Sequence, residues 1–424
     1  MGKNYYFLGI GGISMSALAI FLQKEGKKVA GSDPKEDQVT ELLKQHNICV
    51  DKKINKRAIK AADVVVCSSA IRQDNPQFVY AKHLGKKILT RGQLLGEIAE
   101  QYENVIAVAG SHGKTTTTAM IYEILKLFGV QPTLHLGGLR VENGKNYHIG
   151  ENDFFVTEAC EYHDNFLNLF PTISVITNVE KEHMDYFKTF ENQQKSFEQF
   201  KEQSRNVVEF DKDYVAKNIR HNQQGNLSFT LFHKKNKIMR LHLQICENIN
   251  TQNCIYAYRV ARLLKIPDDI IKRGLENFKG VKTRFERTQN KDFENIVFDY
   301  AHHPTEIKNA IESAKKIYKG KKIVVVFQPH TFSRTKSLLT EFVSLFAKQE
   351  NVICFKTYSA REKASDGVSA KELVNILQKQ TKAQYADNVS QLLHLLKTYN
   401  RNDVLLFVGA GDLPNILHKK HFVS

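Results

Sequence analysis

Short apolar runs that end in glycine- or serine-rich turns, each followed by a helical pattern, recur along this sequence. Residues 5–8 lead into a glycine turn and a helical pattern over 15–23; residues 28–30 end in Gly31-Ser32-Asp33; residues 63–67 run into Ser68-Ser69-Ala70. Apolar runs of this length, alternating with helical segments, predict parallel strands joined by crossover helices in a doubly wound sheet. The pattern returns at 105–109, with a helix expected to about Phe128 and further strands at 154–157 and 173–177. Helices are expected over 254–264 and from 267 to about 278. A linker is expected at Gly280, after which strands are expected at 295–298, 322–327, 352–355 and 404–408. Residues 200–250 are polar and weakly periodic and receive no assignment. The expected class is α/β, in three units: 1–95, 96–280 and 281–424.

Length and composition agree with several cores. At roughly 150 residues per domain, 424 residues correspond to two to four domains. Hydrophobic residues at 42% and charged residues at 25% exclude a disordered, collagenous or coiled-coil chain. Lys+Arg number 61 against 45 Asp+Glu, a net charge of +16 that suits an anionic ligand without naming one. The basic residues come as scattered doublets (Lys27-Lys28, Lys52-Lys53, Lys86-Lys87, Lys321-Lys322) with no basic stripe interleaved with aromatics, so nucleic acid is not an expected partner. Six cysteines form no CxxC pair, which excludes zinc-knuckle and thioredoxin motifs and fits reduced thiols in a cytoplasmic protein. Residues 5–22 carry no charge, but Gly9, Gly11 and Gly12 interrupt them; a strand, a turn and a helix start are expected there, not a membrane span or signal peptide. The Met1-Gly2 start lacks the Ser or Thr needed for myristoylation, since Tyr6 holds that place.

The strongest local signal is Ala109-Gly110-Ser111-His112-Gly113-Lys114-Thr115-Thr116. A strand ends, a glycine loop turns and a helix begins, so successive backbone N–H groups and the positive end of the helix can cradle phosphate oxygens. Lys114 supplies a point charge for the β/γ-phosphates, and Thr115 places a hydroxyl where Mg²⁺ sits. The spacing GxxGK[ST] is two residues shorter than the usual phosphate loop. Gly9-Ile10-Gly11-Gly12 is weaker: it follows a strand and precedes a helix, but Ser14 stands where the third glycine of GxGxxG would be. Asp33 lies at the usual distance for a ribose contact. Glu158 and His183 follow strands near the phosphate loop and could hold Mg²⁺, although that ion prefers oxygen. In the last unit, Asp299-Tyr300-Ala301-His302-His303-Pro304 and Phe327-Gln328-Pro329-His330-Thr331-Phe332-Ser333-Arg334 follow strands; Arg334 is a candidate fork for carboxylate or phosphate.

Taken in order, these segments resemble the Mur ligase family. The resemblance rests on GIGGISMSALA (9–19), GSD (31–33), SSAI (68–71), AGSHGKTTTT (109–118), EACE (158–161), TNVEKEHMDYF (177–187), DYAHHPTEI (299–307), FQPHTFSRT (327–335), YSARE (358–362) and GAGDL (409–413). HHP and QPHxxxR single out the alanine-adding branch. The resemblance covers the chain except about 200–250. It implies a Rossmann-like N-terminal domain for a UDP-sugar, a central P-loop ATPase-like domain, and a Rossmann-like C-terminal domain that closes over the site and helps to bind the amino acid. It implies ATP-dependent coupling of L-alanine to the lactyl carboxylate of UDP-N-acetylmuramate through an acyl phosphate, by a monomer or weak homodimer. Lys114, with Gly110, Ser111, His112, Gly113, Thr115 and Thr116, would hold the ATP phosphates. Thr115, Glu158 and His183 would serve Mg²⁺, and Lys114, Glu158, His183 and Arg334 would carry the catalysis. Asn250 and Asn253 match the asparagines of the family's HNxxN adenine motif; Arg284, Asp299 and His302 would also contact nucleotide. Gly9, Gly11, Gly12, Asp33 and Ser68 would serve the UDP-sugar, and His330 with Arg334 the alanine. Two residues depart from the pattern: Ile249 replaces the histidine of HNxxN, and Ser111 replaces a threonine. Lys195 lies where relatives carry a carbamoylated lysine, but that role is not assigned to it.

Three alternatives compete. Another amide ligase of the family, adding D-glutamate or a murein tripeptide, would share the GKT loop and differ in acceptor. A nicotinamide-dependent oxidoreductase, suggested by GIGG and Asp33, leaves the GKT loop, Glu158 and His183 without a task. A nucleic-acid-dependent ATPase, suggested by the net charge, requires binding that falls steeply with salt.

Overall fold

The computed structural model of the chain describes residues 3–151, 153–222, 224–360 and 362–423; Met1, Gly2 and Arg361 of the segments above lie outside them. Two compact units emerge, one comprising Met1–Lys217, Thr230–Leu241 and Thr251–Lys279, the other Asn218–Phe229, His242–Asn250 and Gly280–Ser424.

The first unit holds two sheets. One has the strand order Cys49–Asp51, Lys28–Ser32, Asn4–Leu8, Val64–Cys67, Lys87–Thr90, and every pairing is parallel. The order reverses direction between Asn4–Leu8 and Val64–Cys67, so the turns after Leu8 and Cys67 open side by side at a topological switch point. The uncharged N-terminal stretch is therefore a five-residue strand, a glycine turn and the helix Ile13–Lys24. Among the described residues no helix is long and apolar enough to cross a membrane.

The other sheet has the order Asn206–Val208, Ile173–Ile176, Asn104–Ala109, Phe154–Glu158, Thr133–His135, Tyr147–His148, parallel except for the last pair. Asn104–Ala109 is central, so the glycine loop that follows it is flanked by the ends of two neighbouring strands. The helix Lys114–Leu127 leaves this loop and packs on Asp268–Asn277, where a side chain at Gly274 would lie 2.7 Å from the Ile124 Cα. The unassigned region proves to be a three-stranded sheet of Tyr214–His221, Leu227–His233 and Asn236–His242, in that order.

The second unit carries a six-stranded sheet ordered Glu286–Thr288, Asn295–Asp299, Val404–Val408, Ile323–Phe327, Val352–Phe355, Ala383–Ala386; only the first pairing is antiparallel. Its strands read as unbroken apolar runs because both faces are covered. Val325, Phe327 and Leu406 face one core, while Val324, Val326, Leu405 and Phe407 face the other. The loops after Asp299, Phe327 and Val408 open at one end of three adjacent strands. The helix Pro304–Ile317 starts with a proline in its first turn and a reciprocal cap between His303 and Glu306.

Candidate active site

The phosphate loop is built before any ligand arrives. Gly113 caps the helix Lys114–Leu127 in a left-handed conformation, φ 86°, which glycine adopts without steric cost. A Cβ there would also lie 2.5 Å from Asn253 Oδ1, so the predicted adenine-side asparagine packs directly against the loop. The segment after Ile173–Ile176 braces the other side. Thr177 Oγ1 donates to the His112 carbonyl at 2.6 Å, Asn178 Nδ2 donates to the same oxygen at 3.1 Å, and His112 N–H donates to Asn178 Oδ1 at 2.9 Å. Ser111 Oγ accepts the Glu180 N–H at 2.9 Å and His112 Nε2 lies 3.3 Å from Glu180 Oε2.

Lys114 does not point to solvent. Its Nζ donates to the carbonyls of Gly110 and Ser111 and to Glu161 Oε1, the last at 3.2 Å. Burial opposes a charge on Lys114, but Glu161, with Glu182 behind it, outweighs burial and holds the ammonium above its ordinary range. Burial likewise opposes ionisation of Glu161, which is fully buried; Lys114 and then His183 overcome it and bring its pKa to about 2. The pair is thus doubly ionised, a cation ready for phosphate oxygens.

His183 Nε2 lies 3.6 Å from Glu161 Oε1, and its ring stands 4.6 Å from that of Tyr162. Glu161, Glu182 and His183 bring one ligand atom each to within 4.8 Å of one another. The Glu158 carboxylate accepts the Gly137 N–H. Glu158 also bears on the charge of Lys114. Thr115 and Thr116 are buried in the first turn of the helix, and Asn250 begins the helix Asn250–Leu263.

At the glycine turn, Gly9 N–H donates to the Ser32 carbonyl at 2.8 Å and Gly12 N–H to the Gly9 carbonyl at 3.2 Å. Gly11 N–H donates to Asp33 Oδ2 at 3.0 Å, and Lys35 N–H to Asp33 Oδ1 at 3.0 Å. Asp33 therefore shapes the turn from within, a task the ribose expectation did not include. Ser68, at the neighbouring strand end, accepts the Ala70 N–H at 3.2 Å.

The second unit gathers its own group of candidates. Asp299 accepts N–H groups of Phe285 at 2.8 Å and Ala301 at 2.6 Å, and burial, offset in part by Arg284, pushes its pKa up to about 6. Burial and the Asp299 charge push Glu247 well above the usual carboxylate range. The Arg284 guanidinium lies 4.8 Å from the Tyr300 ring centre. His302 is held neutral first by burial and then by Arg334. Arg334 Nη1 lies 3.1 Å from His330 Nδ1, and the His330 ring stacks on Tyr358 at 5.5 Å. Glu362 takes the Ser333 N–H at 2.8 Å, fixing the turn into the short helix that carries Arg334.

Three participants escaped sequence reasoning as site residues. Glu161 and Glu182 lay inside quoted motifs but were not selected; only proximity to Lys114 and His183 singles them out. Asn178, within the segment 177–187, braces the loop with its side chain, which no spacing rule reveals.

Known proteins of one family match along the chain. The model described as "Mur ligase family, catalytic domain" matches residues 4–103, "Mur ligase middle domain" residues 108–253, and "Mur ligase, glutamate ligase domain" residues 283–411. The UDP-N-acetylmuramate–L-alanine ligase of Caldanaerobacter subterraneus subsp. tengcongensis is 37% identical over 98% of this chain and 97% of its own length. The enzyme of the same name from Caldicellulosiruptor saccharolyticus is 38% identical over 97% of this chain and 96% of its own. The crystal structure of UDP-N-acetylmuramate–alanine ligase from Thermotoga maritima superposes with a TM-score of 0.86 at 25% identity, covering 99% of both chains. A murein peptide ligase from Psychrobacter arcticus shares the fold, with a TM-score of 0.74 at 20% identity over 99% of this chain and 98% of its own. The chain belongs to the Mur ligase family.

Proposed function

We propose that this chain is an alanine-adding ligase, which couples L-alanine to the lactyl carboxylate of UDP-N-acetylmuramate and converts ATP to ADP and phosphate, in the cytoplasmic synthesis of peptidoglycan precursors. The observation that carries the reading is the Lys114–Glu161 ion pair, 3.2 Å apart, set into a strand–loop–helix cradle. Relatives 37% and 38% identical over nearly the whole chain bear the alanine ligase name. The domain bounds that go with this reading are 1–95 for the sugar nucleotide, 96–280 for ATP and 281–424 for the amino acid.

In this reading, Gly110, Ser111, His112, Gly113, Lys114, Thr115 and Thr116 bind the phosphates, and Asn250 with Asn253 takes the adenine. Arg284, Asp299 and His302 of the second unit act on the nucleotide, and His330 with Arg334 on the amino acid. Gly9, Gly11, Gly12 and Ser68 offer the glycine turn to the UDP-sugar, with Asp33 holding that turn in shape. A carboxylate oxygen attacks the γ-phosphorus, the bond to the ADP oxygen breaks, and an acyl phosphate forms. The neutral amine of alanine then attacks the acyl carbon, and the tetrahedral intermediate expels inorganic phosphate to leave the amide. Both steps bring anions together, so fixed cations such as Lys114 lower the barrier by opposing their repulsion.

A divalent ion fits the donor set. Among the described residues, Glu161 Oε2 is buried without accepting a hydrogen bond, although Lys114 Nζ lies 3.2 Å away as its ion partner. Glu161, Glu182 and His183 would hold Mg²⁺, with Thr115 and Glu158 as the further candidates from the sequence. Bound there, the ion would supply further positive charge beside the phosphates.

The test is phosphate release from ATP with Mg²⁺ and UDP-N-acetylmuramate, with L-alanine, D-glutamate, glycine or L-Ala-D-Glu-meso-diaminopimelate added singly and the product identified by mass spectrometry. Stimulation by L-alanine, abolished in Lys114→Ala, is expected. Stimulation by another acceptor alone would change the substrate, and none at all would overturn the reading. Glycine should retain measurable activity, since a pocket for one methyl discriminates by only about 1–3 kcal/mol.

A further inference from the structure

The glycine turn and the phosphate loop belong to different sheets of the first unit, yet one chain of polar groups joins the elements that carry them. Ser14, on the helix that leaves the glycine turn, has its Oγ 2.8 Å from His135 Nε2 and accepts Arg91 Nη1–H at 3.2 Å. His135 ends the strand Thr133–His135, and its Nδ1 lies 2.8 Å from Thr157 Oγ1. The Thr157 hydroxyl donates to the Glu158 carbonyl at 3.0 Å. A hydroxyl has one proton, so Thr157 can only accept from the ring. This assigns the Nδ1–H tautomer, makes Nε2 an acceptor, and turns the Ser14 proton towards it. The Ser14 lone pairs are then left for Arg91. The polar chain orients the guanidinium without neutralising it.

Arg91 opens the helix Arg91–Ala99 and is half-buried. Among the described residues it meets no carboxylate within ion-pair distance, and its hydrogen bond goes to a neutral hydroxyl. A partly exposed guanidinium with no anion beside it can take one that a ligand supplies. The next residue, Gly92, packs on the turn that follows Glu161, where an added Cβ would lie 2.4 Å from Asn165 Oδ1. Arg91 therefore touches the glycine-turn helix on one side, and the helix it opens packs on the turn after Glu161, the partner of Lys114. In the ligase reading, the carboxylate of the sugar nucleotide reaches the γ-phosphate between these two elements. A planar guanidinium holds a carboxylate through two parallel bonds and fixes its plane.

We propose that Arg91 is the fork that binds the reacting carboxylate of the sugar nucleotide, and that Ser14 and His135 are positioning residues which aim it. The proposal rests on the ligase reading above.

The experiment compares wild type with Arg91→Ala, Arg91→Lys and Ser14→Ala as full chains, with ATP, Mg²⁺ and L-alanine held constant and UDP-N-acetylmuramate varied. UDP-N-acetylglucosamine, which lacks the lactyl carboxylate, serves as competitive inhibitor. Losing a bidentate carboxylate contact should lower kcat/KM for UDP-N-acetylmuramate about 100-fold in Arg91→Ala, with about tenfold recovery in Arg91→Lys. Ser14→Ala should lose about tenfold, and the KM for ATP should stay within about twofold throughout. Inhibition by UDP-N-acetylglucosamine should be unchanged in all three variants, which a merely structural defect would not allow. Unchanged kcat/KM in Arg91→Ala, or parallel loss of inhibitor binding, overturns the proposal. If Arg91→Ala does not fold, the Arg91→Lys and Ser14→Ala ratios decide in the same way. No turnover of UDP-N-acetylmuramate by the wild type would overturn the ligase reading itself, and this proposal with it.

Discussion

Gly137→Ala should separate stability from catalysis at a single atom. The Gly137 N–H donates to the Glu158 carboxylate, and an added Cβ would stand 2.9 Å from Oε1 and 2.8 Å from Oε2. Gly137 is not in the left-handed region, so alanine fits its backbone. What must yield is the tip of Glu158, which has to retreat by about 0.6 Å to reach ordinary contact at 3.4 Å. Replacing glycine at a compatible backbone stabilises by about 0.4–1 kcal/mol through the unfolded chain. Weakening a hydrogen bond to a charged group costs about 1.5–3 kcal/mol. The net loss should therefore be about 1–2 kcal/mol, a shift of a few degrees in Tm. Catalysis should suffer more, because a misplacement of about 1 Å can cost about 100-fold. The assay is the ligase rate against Mg²⁺ concentration, with thermal unfolding in parallel. A fall in kcat of at least about tenfold, with half-saturation at higher Mg²⁺, is expected. Wild-type rates at every Mg²⁺ concentration would refute the idea that Glu158 is held in place for the reaction. A collapse in Tm would show that the backbone gives way instead of the side chain.

Two further outcomes follow from buried charges. Burial, with Arg91 adding to it, lowers the His135 pKa from 6.5 to about 3, so between those values the unfolded chain binds a proton that the folded chain refuses. Stability should fall by about 1.4 kcal/mol per pH unit on acidification through that window, and His135→Gln should flatten the slope of the urea midpoint between pH 6.5 and 4.5; equal slopes would count against a buried neutral ring. Glu161→Gln leaves Lys114 buried without its anion and should cost about 3 kcal/mol, while the melting temperature should rise more on adding ATP than it does in wild type, because the phosphates replace the missing charge. An unchanged melting temperature without nucleotide would contradict the pairing.

The central strands were readable because both of their faces are buried, which leaves unbroken runs such as Val324-Val325-Val326-Phe327. The edge strands Cys49–Asp51, Lys87–Thr90 and Ala383–Ala386 were not, since three or four residues that are not all buried carry little pattern. The sheet within 214–242 hid behind charge. Leu227, Phe229 and Leu231 alternate inward as a strand should, but Lys217, Arg220, Lys234, Lys235 and Lys237 around them make the window look polar. The phosphate loop was legible because its chemistry is local: strand, turn and cation lie within ten residues of one another. Glu161 was not, because its approach to Lys114 depends on a turn in which His163 and Asp164 adopt left-handed conformations, φ 55° and 51°, with no glycine to announce them. Arg91 lies 77 residues from Ser14, a distance no spacing rule bridges.

The missing side chain of Gly113 has a consequence for how such a chain can be recombined. The space it leaves is filled by Asn253, a residue from the helix Asn250–Leu263 far along the sequence. A chimera that took the loop from one relative and that helix from another would join halves cut to different patterns wherever the Gly113–Asn253 contact differs. Loop and helix are therefore a single heritable part, and crossover points that keep the enzyme intact should fall outside the span between them.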